Sequence, residues 1–139
     1  KDRLRGHKRA LNEHGLAFNQ ALYFEGEYKE NGGIEGIKYL LDKGDEFTAI
    51  VCGNDEIALG AMTYAREHGL AVPRDISIIG FDNTILSSYI YPKLTTINNP
   101  VYNMGHMAAK LVLKDVYQLS NLDINHSFVP SLILRDSIS

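Results

Sequence analysis

Asp82, Asn54, Arg3 and Tyr28 are the side chains whose types suit them best to hold a small molecule, and Asn99 joins them by its place in the chain. A carboxylate accepts from two hydroxyls at once, an amide both donates and accepts, and a guanidinium donates a fork of N–H groups. A phenol ring packs on the apolar face of a sugar. Together these groups suit a neutral, polyhydroxylated ligand. Each also has a structural use. Asn54 and Asp55 are good helix caps, Asp82 can start a turn by bonding its own backbone, Arg3 can lie solvated along a helix, and Tyr28 can simply cover a core. On residue types and spacing alone, the five support a small-molecule-binding α/β domain.

Other chemistries lack their residues. There is no G-x-S-x-G elbow, P-loop, G-x-G-x-x-G fingerprint or H-E-x-x-H pair in the chain. The five histidines, His7, His14, His68, His106 and His126, show no metal-ligand spacing, so neither a metal nor a cofactor is expected. Gly32 and Gly33 could in principle cradle a phosphate, or else form a flexible helix entry. Cys52 lies in the apolar run AIVCG and reads as a small buried hydrophobe. An enzyme using Asp82 as general base would need an acid partner, and the sequence offers no obvious one. The expectation is therefore a binding protein, not an enzyme.

The positioning elements follow from periodicity. Residues 2–13 read as a helix stopped by Gly15, and Leu22, Tyr23 and Phe24 as a short strand before the polar loop EGEYKENGG. Ile34, Ile37, Leu40 and Leu41 recur at helical spacing up to Gly44, a residue suited to a helix carboxy-terminal cap. FTAIVC and DISIIGF are nearly continuous apolar runs, the pattern of parallel strands covered on both faces. Between them Asn54 or Asp55 caps a helix that Gly69 ends, and TTIN is a further strand closed by Pro100. Met104, Met107, Ala108, Leu111 and Val112 form one helical stripe, and FVPSLIL is a last strand. The alternation predicts an α/β fold with a parallel sheet flanked by helices. Ligands bind such sheets beyond the carboxyl ends of the strands, where Asn54, Asp55, Asp82, Asn83 and, on a looser reading, Tyr28 and Asn99 fall.

At 139 residues the chain is about one domain long, and its 45% hydrophobic content is that of an ordinary globular protein. Seventeen acidic against fourteen basic residues give a charge of −3, without the basic surplus of a nucleic-acid-binding surface. No run is long and apolar enough to span a membrane, and KDRLRGHKRA leads into no signal-peptide core, so a cytoplasmic protein is expected. The chain opens on Lys1 directly into a helix, as a fragment would.

Residues 51 to 100, VCGNDEIALGAMTYAREHGLAVPRDISIIGFDNTILSSYIYPKLTTINNP, closely resemble the hallmark stretch of the lactose/galactose repressor family. There an N-D pair opens a helix, and V-P-x-D-I-S-I-I-G-F-D precedes P-x-L-T-T-I. The opening RLRGHKRAL and the closing FVPSLILRDSIS are similar to family segments too, and within the family the match leans towards a galactose-operon repressor. The resemblance implies a two-lobed effector domain like that of periplasmic sugar-binding proteins, of which mainly the carboxy-terminal lobe is present. It also implies a sugar effector, a homodimer, and operator DNA bound by an amino-terminal helix-turn-helix domain absent from this chain. By position, Arg3, Asn54 and Asp82 match effector-contacting residues, Tyr28 falls near a stacking aromatic, and Asn99 is the weaker match. Where the family tends to write a second aspartate, this chain has Asn83. Residues 1–100 are expected to form the carboxy-terminal lobe, 101–127 to pack on the amino-terminal lobe, and 128–139 to return. The resemblance also implies that effector domains pair side by side, and the helix of residues 55–67, whose Leu59 and Met62 read as exposed apolar residues, is expected to form the dimer contact with residues 85–90. A periplasmic sugar-binding protein of the same fold is the alternative.

Overall fold

A computed structural model describes residues 2–139. The order is α1 (Asp2–Glu13), a 3-10 turn (Gln20–Leu22), α2 (Glu30–Lys43), β1 (Ala49–Val51), α3 (Asp55–Glu67), β2 (Ser77–Asp82), α4 (Leu86–Tyr89), β3 (Thr95–Asn98), α5 (Val101–Tyr117) and β4 (Ser131–Ile133). One sheet holds the strands in the order β1-β2-β3-β4. The first three are parallel, with Ile50 opposite Ile78 and Phe81 opposite Ile97. The α/β fold with a helix-flanked parallel sheet thus stands, with the detail that β4 joins antiparallel, placing Leu132 opposite Ile97.

Side chains alternate across a strand, and β2 shows what that does here. Ile78 and Gly80 are buried, while Ile79 and Phe81 on the opposite face are half-buried. The buried face joins Ile37 of α2, Ala58, Ala61, Met62 and Ala65 of α3, and Leu94 in one core. Burying Ile37, Ile78 and Leu94 contributes about 2 kcal/mol each. Ala49 and Val51 of β1 are exposed, so the apolar run predicted to be covered on both faces is covered on one.

Gly32 and Gly33 lie inside α2 and are buried, which removes both the phosphate cradle and the flexible helix entry. Their use is close packing. A Cβ on Gly33 would sit 2.0 Å from the Ile57 carbonyl oxygen, and one on Gly60 would sit 1.9 Å from that of Glu30. Only glycine lets the backbones of α2 and α3 approach so closely.

The strand expected at Leu22–Phe24 does not form. A strand needs a neighbour to complete its ladder, and here the aromatic side chains pack instead, Phe24 on Tyr39 of α2 with ring centroids 5.3 Å apart. No residue of α5 is buried. The segment after it runs back alongside, where the Asn125 N–H meets the Met107 sulfur and Lys110 Nζ donates to the Asp123 carbonyl. Val112, Val116 and Tyr117 remain exposed. No helix among the described residues is long and apolar enough to cross a membrane.

Candidate functional site

The carboxyl ends of β1, β2 and β3 share one edge of the sheet, and the candidate side chains meet there. Arg3 reaches across from α1. Its Nη1 donates to the Gly53 carbonyl oxygen, its Nη2 lies 3.4 Å from Asp82 Oδ1, and its guanidinium carbon sits 3.7 Å from the centre of the Phe81 ring. This is no free surface arginine. Asn99 Nδ2 donates to the same Asp82 oxygen at 3.3 Å. Tyr28, largely exposed, brings its hydroxyl to 3.2 Å from where a Gly53 Cβ would lie. Asn54 follows Gly53 directly, so all five sequence-predicted residues border one ledge.

Asn54 serves as helix cap without exhausting its amide. Its Oδ1 accepts from the Ile57 N–H at 2.8 Å, which satisfies one of the free donors of the first turn. Among the described residues no group accepts from its Nδ2. Asp82 shows the same division: both its long contacts fall on Oδ1, no described residue donates to Oδ2, and its side chain is 30% exposed. Its backbone is unusual, with φ 110° at Asp82 and 54° at Asn83. Consecutive residues with positive φ are disfavoured for L-amino acids, Asp and Asn least so, and such outliers cluster at functional sites. They turn the chain sharply out of β2 and leave one carboxylate oxygen facing solvent.

Asp55 was expected as an alternative cap. The structure gives that role to Asn54 and buries Asp55 to 3% exposure. Its Oδ1 accepts from the Thr96 hydroxyl at 2.5 Å, and its Oδ2 from the Thr84 N–H at 2.6 Å and hydroxyl at 3.0 Å. A Cβ on Gly80 would stand 2.3 Å from Oδ1, so β2 carries glycine where the carboxylate passes. The start of α3, the loop after β2 and β3 are thereby tied together. Sequence reasoning missed this centre, and the available signal was two capping residues in a row where a helix uses one.

A second tie was also missed. Arg135, just after β4, donates from Nη2 to Asn83 Oδ1 at 2.7 Å and from Nη1 to the Leu94 carbonyl at 2.7 Å and the Ser87 hydroxyl at 3.0 Å. Ser137, fully buried, donates to the Ile78 carbonyl and accepts from the Thr95 N–H. Cys52 is buried as expected. Burial first, and the Asp55 carboxylate second, push its thiol up to about 12, so it stays protonated and unreactive at neutral pH. Among the described residues no group of three or more His, Cys, Asp or Glu side chains could hold a metal ion.

Residues 1–138 match the family model of the periplasmic binding protein-like domain. The chain is 41% identical over 138 residues to the HTH-type transcriptional regulator GalR of Escherichia coli strain K12, covering 99% of this chain and 40% of that protein. The crystal structure of a sugar-binding transcriptional regulator of the LacI family from Escherichia coli, complexed with phosphate, matches with a TM-score of 0.87 and 37% identity over 98% of this chain and 49% of that one. A LacI family transcriptional regulator from Enterococcus faecium with bound ribose matches with a TM-score of 0.87 and 31% identity, over 99% and 51%. The chain therefore spans 40% of the length of this curated relative and about half of each solved chain. A domain match along nearly the whole chain, relatives and solved structures that agree on one kind of regulator, and the shared fold together make this chain a member of the LacI/GalR family of transcriptional regulators.

Proposed function

We propose that this chain is the effector-binding part of a cytoplasmic, non-enzymatic transcriptional repressor that senses a neutral hexose, galactose foremost. The observation that carries the reading is Asp82, held on one oxygen by Arg3 and Asn99 with the other oxygen open, at a left-handed turn on the ligand edge of the sheet. Two vicinal hydroxyls would donate to Asp82, Asn54 Nδ2 would donate to a sugar oxygen, and Tyr28 would pack on the apolar face of the ring. Arg3, Asp82 and Tyr28 each keep part of their surface exposed, which suits closure by a second lobe. Sugar binding between two lobes would shift a dimer between states of different operator affinity, and the coupling would be reciprocal. DNA contact would belong to an amino-terminal helix-turn-helix domain.

Calorimetric titration of the full-length protein with D-galactose tests this. Asp82→Asn keeps the shape but loses the charge, and affinity is expected to fall at least tenfold, about 1.5–3 kcal/mol. Unchanged affinity in a folded variant removes Asp82 from the site.

We also infer how this part meets its surroundings. Met62, expected on a dimer surface, is buried in the core and Leu59 is half-buried, so the self-complementary patch centres on Ile85, Leu86 and Tyr89, all exposed. Val112, Val116 and Tyr117 on α5 suit the proposal that residues 101–127 pack on the amino-terminal lobe, with 1–100 and 128–139 forming the carboxy-terminal one. Hydrogen exchange of the full-length protein separates the two contacts. An intrachain lobe contact protects α5 at every concentration, whereas a dimer contact protects residues 85–90 only where dimers form. Protection of residues 85–90 that ignores concentration sinks the dimer assignment, and an unprotected α5 sinks the lobe assignment.

A further inference from the structure

We propose that Arg135 is a positioning residue for the Asp82 carboxylate, acting on it through Asn83. The inference rests on the reading of Asp82 as the sugar acceptor. Asp82 and Asn83 both occupy backbone conformations that residues with a Cβ resist, at φ 110° and 54°. Something outside the turn must hold them.

Asn83 is where the hold is applied. Its Oδ1 accepts from Arg135 Nη2 at 2.7 Å, its Nδ2 donates to Asn98 Oδ1 at 3.1 Å, and its N–H points to the Thr96 hydroxyl at 3.4 Å. The guanidinium also sets which way the amide faces. Arg135 can only donate, so it fixes the amide oxygen towards itself and leaves the nitrogen to Asn98. Arg135 is braced in turn. Its second arm donates to the Leu94 carbonyl and the Ser87 hydroxyl, and its backbone N–H donates to Thr95 Oγ1 at 2.8 Å.

Arg135 forms no ion pair with any described residue. A half-buried cation without a carboxylate is an inefficient way to fasten a tail to a sheet, because a neutral side chain would do that with less desolvation. A charge-assisted donor does bind a neutral amide oxygen more tightly than a neutral donor would. That strength falls on the residue next to Asp82, where a strained turn needs it. The segment after β4 thus sets the direction of a carboxylate at the end of β2.

The test uses full-length wild type, Arg135→Gln, Arg135→Lys and Asn83→Ala, with D-galactose as probe and amide exchange of the unliganded proteins as a second readout. Arg135→Gln is expected to weaken galactose binding about tenfold and to speed exchange at the Asn83 and Thr84 amides about tenfold, with Ile78 and Ile79 unchanged. Arg135→Lys, able to replace one arm of the fork, falls between and keeps the test available if the glutamine variant does not fold. The Asn83→Ala/Arg135→Gln pair is expected to lose no more affinity than the worse single variant, because both break one path. Wild-type affinity in either Arg135 variant, alongside weakened binding in Asp82→Asn, overturns the proposal and spares the sugar site. If the wild type binds no galactose, the sugar reading falls, and exchange at Asn83 and Thr84 decides Arg135: faster exchange supports its hold on the turn, and unchanged exchange ends it.

Discussion

Asp55 and Asp82 stand at the same edge of the same sheet, one after β1 and one ending β2, and their surroundings are opposite. Asp55 is buried, accepts three hydrogen bonds shared over both oxygens, and sits at the start of a regular helix. Asp82 is part-exposed, receives two long contacts on one oxygen, and has a backbone that a side chain makes unfavourable. A carboxylate with both oxygens engaged from within is building the molecule. One held on a single oxygen, part-exposed and on a strained turn, suits the proposed role of ligand acceptor. The difference lies in the accounting of lone pairs and backbone angles, which residue type cannot reveal.

The largest effect that would break this comparison concerns folding. Asp55→Ala leaves the Thr84 N–H and the hydroxyls of Thr84 and Thr96 without their acceptor, and opens a void beside Gly80. The expected loss is about 3 kcal/mol, read as a shift in the urea midpoint of the full-length protein. Asp82→Ala gives up only part-exposed contacts and is expected to cost under about 1 kcal/mol. Equal losses at the two positions would mean that Asp82 is as structural as Asp55.

The elements were more legible in the sequence than the ties between them. The bounds of α3 were legible because Asn54 and Gly69 mark its ends within a few residues of the apolar stripe, β2 because a continuous apolar run ends in a polar turn, and β3 because Pro100 closes TTIN. The positions of Asp82 and Asn54 followed from knowing which end of a parallel sheet faces ligands. What stayed hidden was decided by partners distant in the chain. Asp55 is buried because Thr84 and Thr96, 29 and 41 residues on, arrive to donate to it. Gly33 is a contact point because Ile57 comes within reach, and Met62 faces the core although its neighbour Leu59 is half-buried. The direction of β4 was illegible as well, since an apolar run pairs either way and its course is set by the long passage through α5.

The smallest expected effect is the sharpest test of the comparison, because its sign runs against habit. Replacing a side-chain-bearing residue by glycine normally lowers stability, as the unfolded chain gains freedom. At φ 110° the order reverses, because glycine adopts such angles without steric penalty while any Cβ is crowded. Asp82→Ala and Asp82→Gly both discard the contacts to Arg3 and Asn99, so the comparison between them isolates the backbone. The strain at such a position is of order 1–3 kcal/mol, and the entropic disadvantage of glycine is roughly 0.5–1 kcal/mol. The Asp82→Gly protein is therefore expected to be more stable than Asp82→Ala by about 1 kcal/mol, read from paired urea or thermal curves, while neither binds galactose. At Asp55, with a helical backbone, the same pair should fall in the ordinary order, alanine above glycine by about 1 kcal/mol. If alanine is also the more stable at position 82, the turn carries no strain, and the open carboxylate loses its claim to be a site maintained against the preference of the fold.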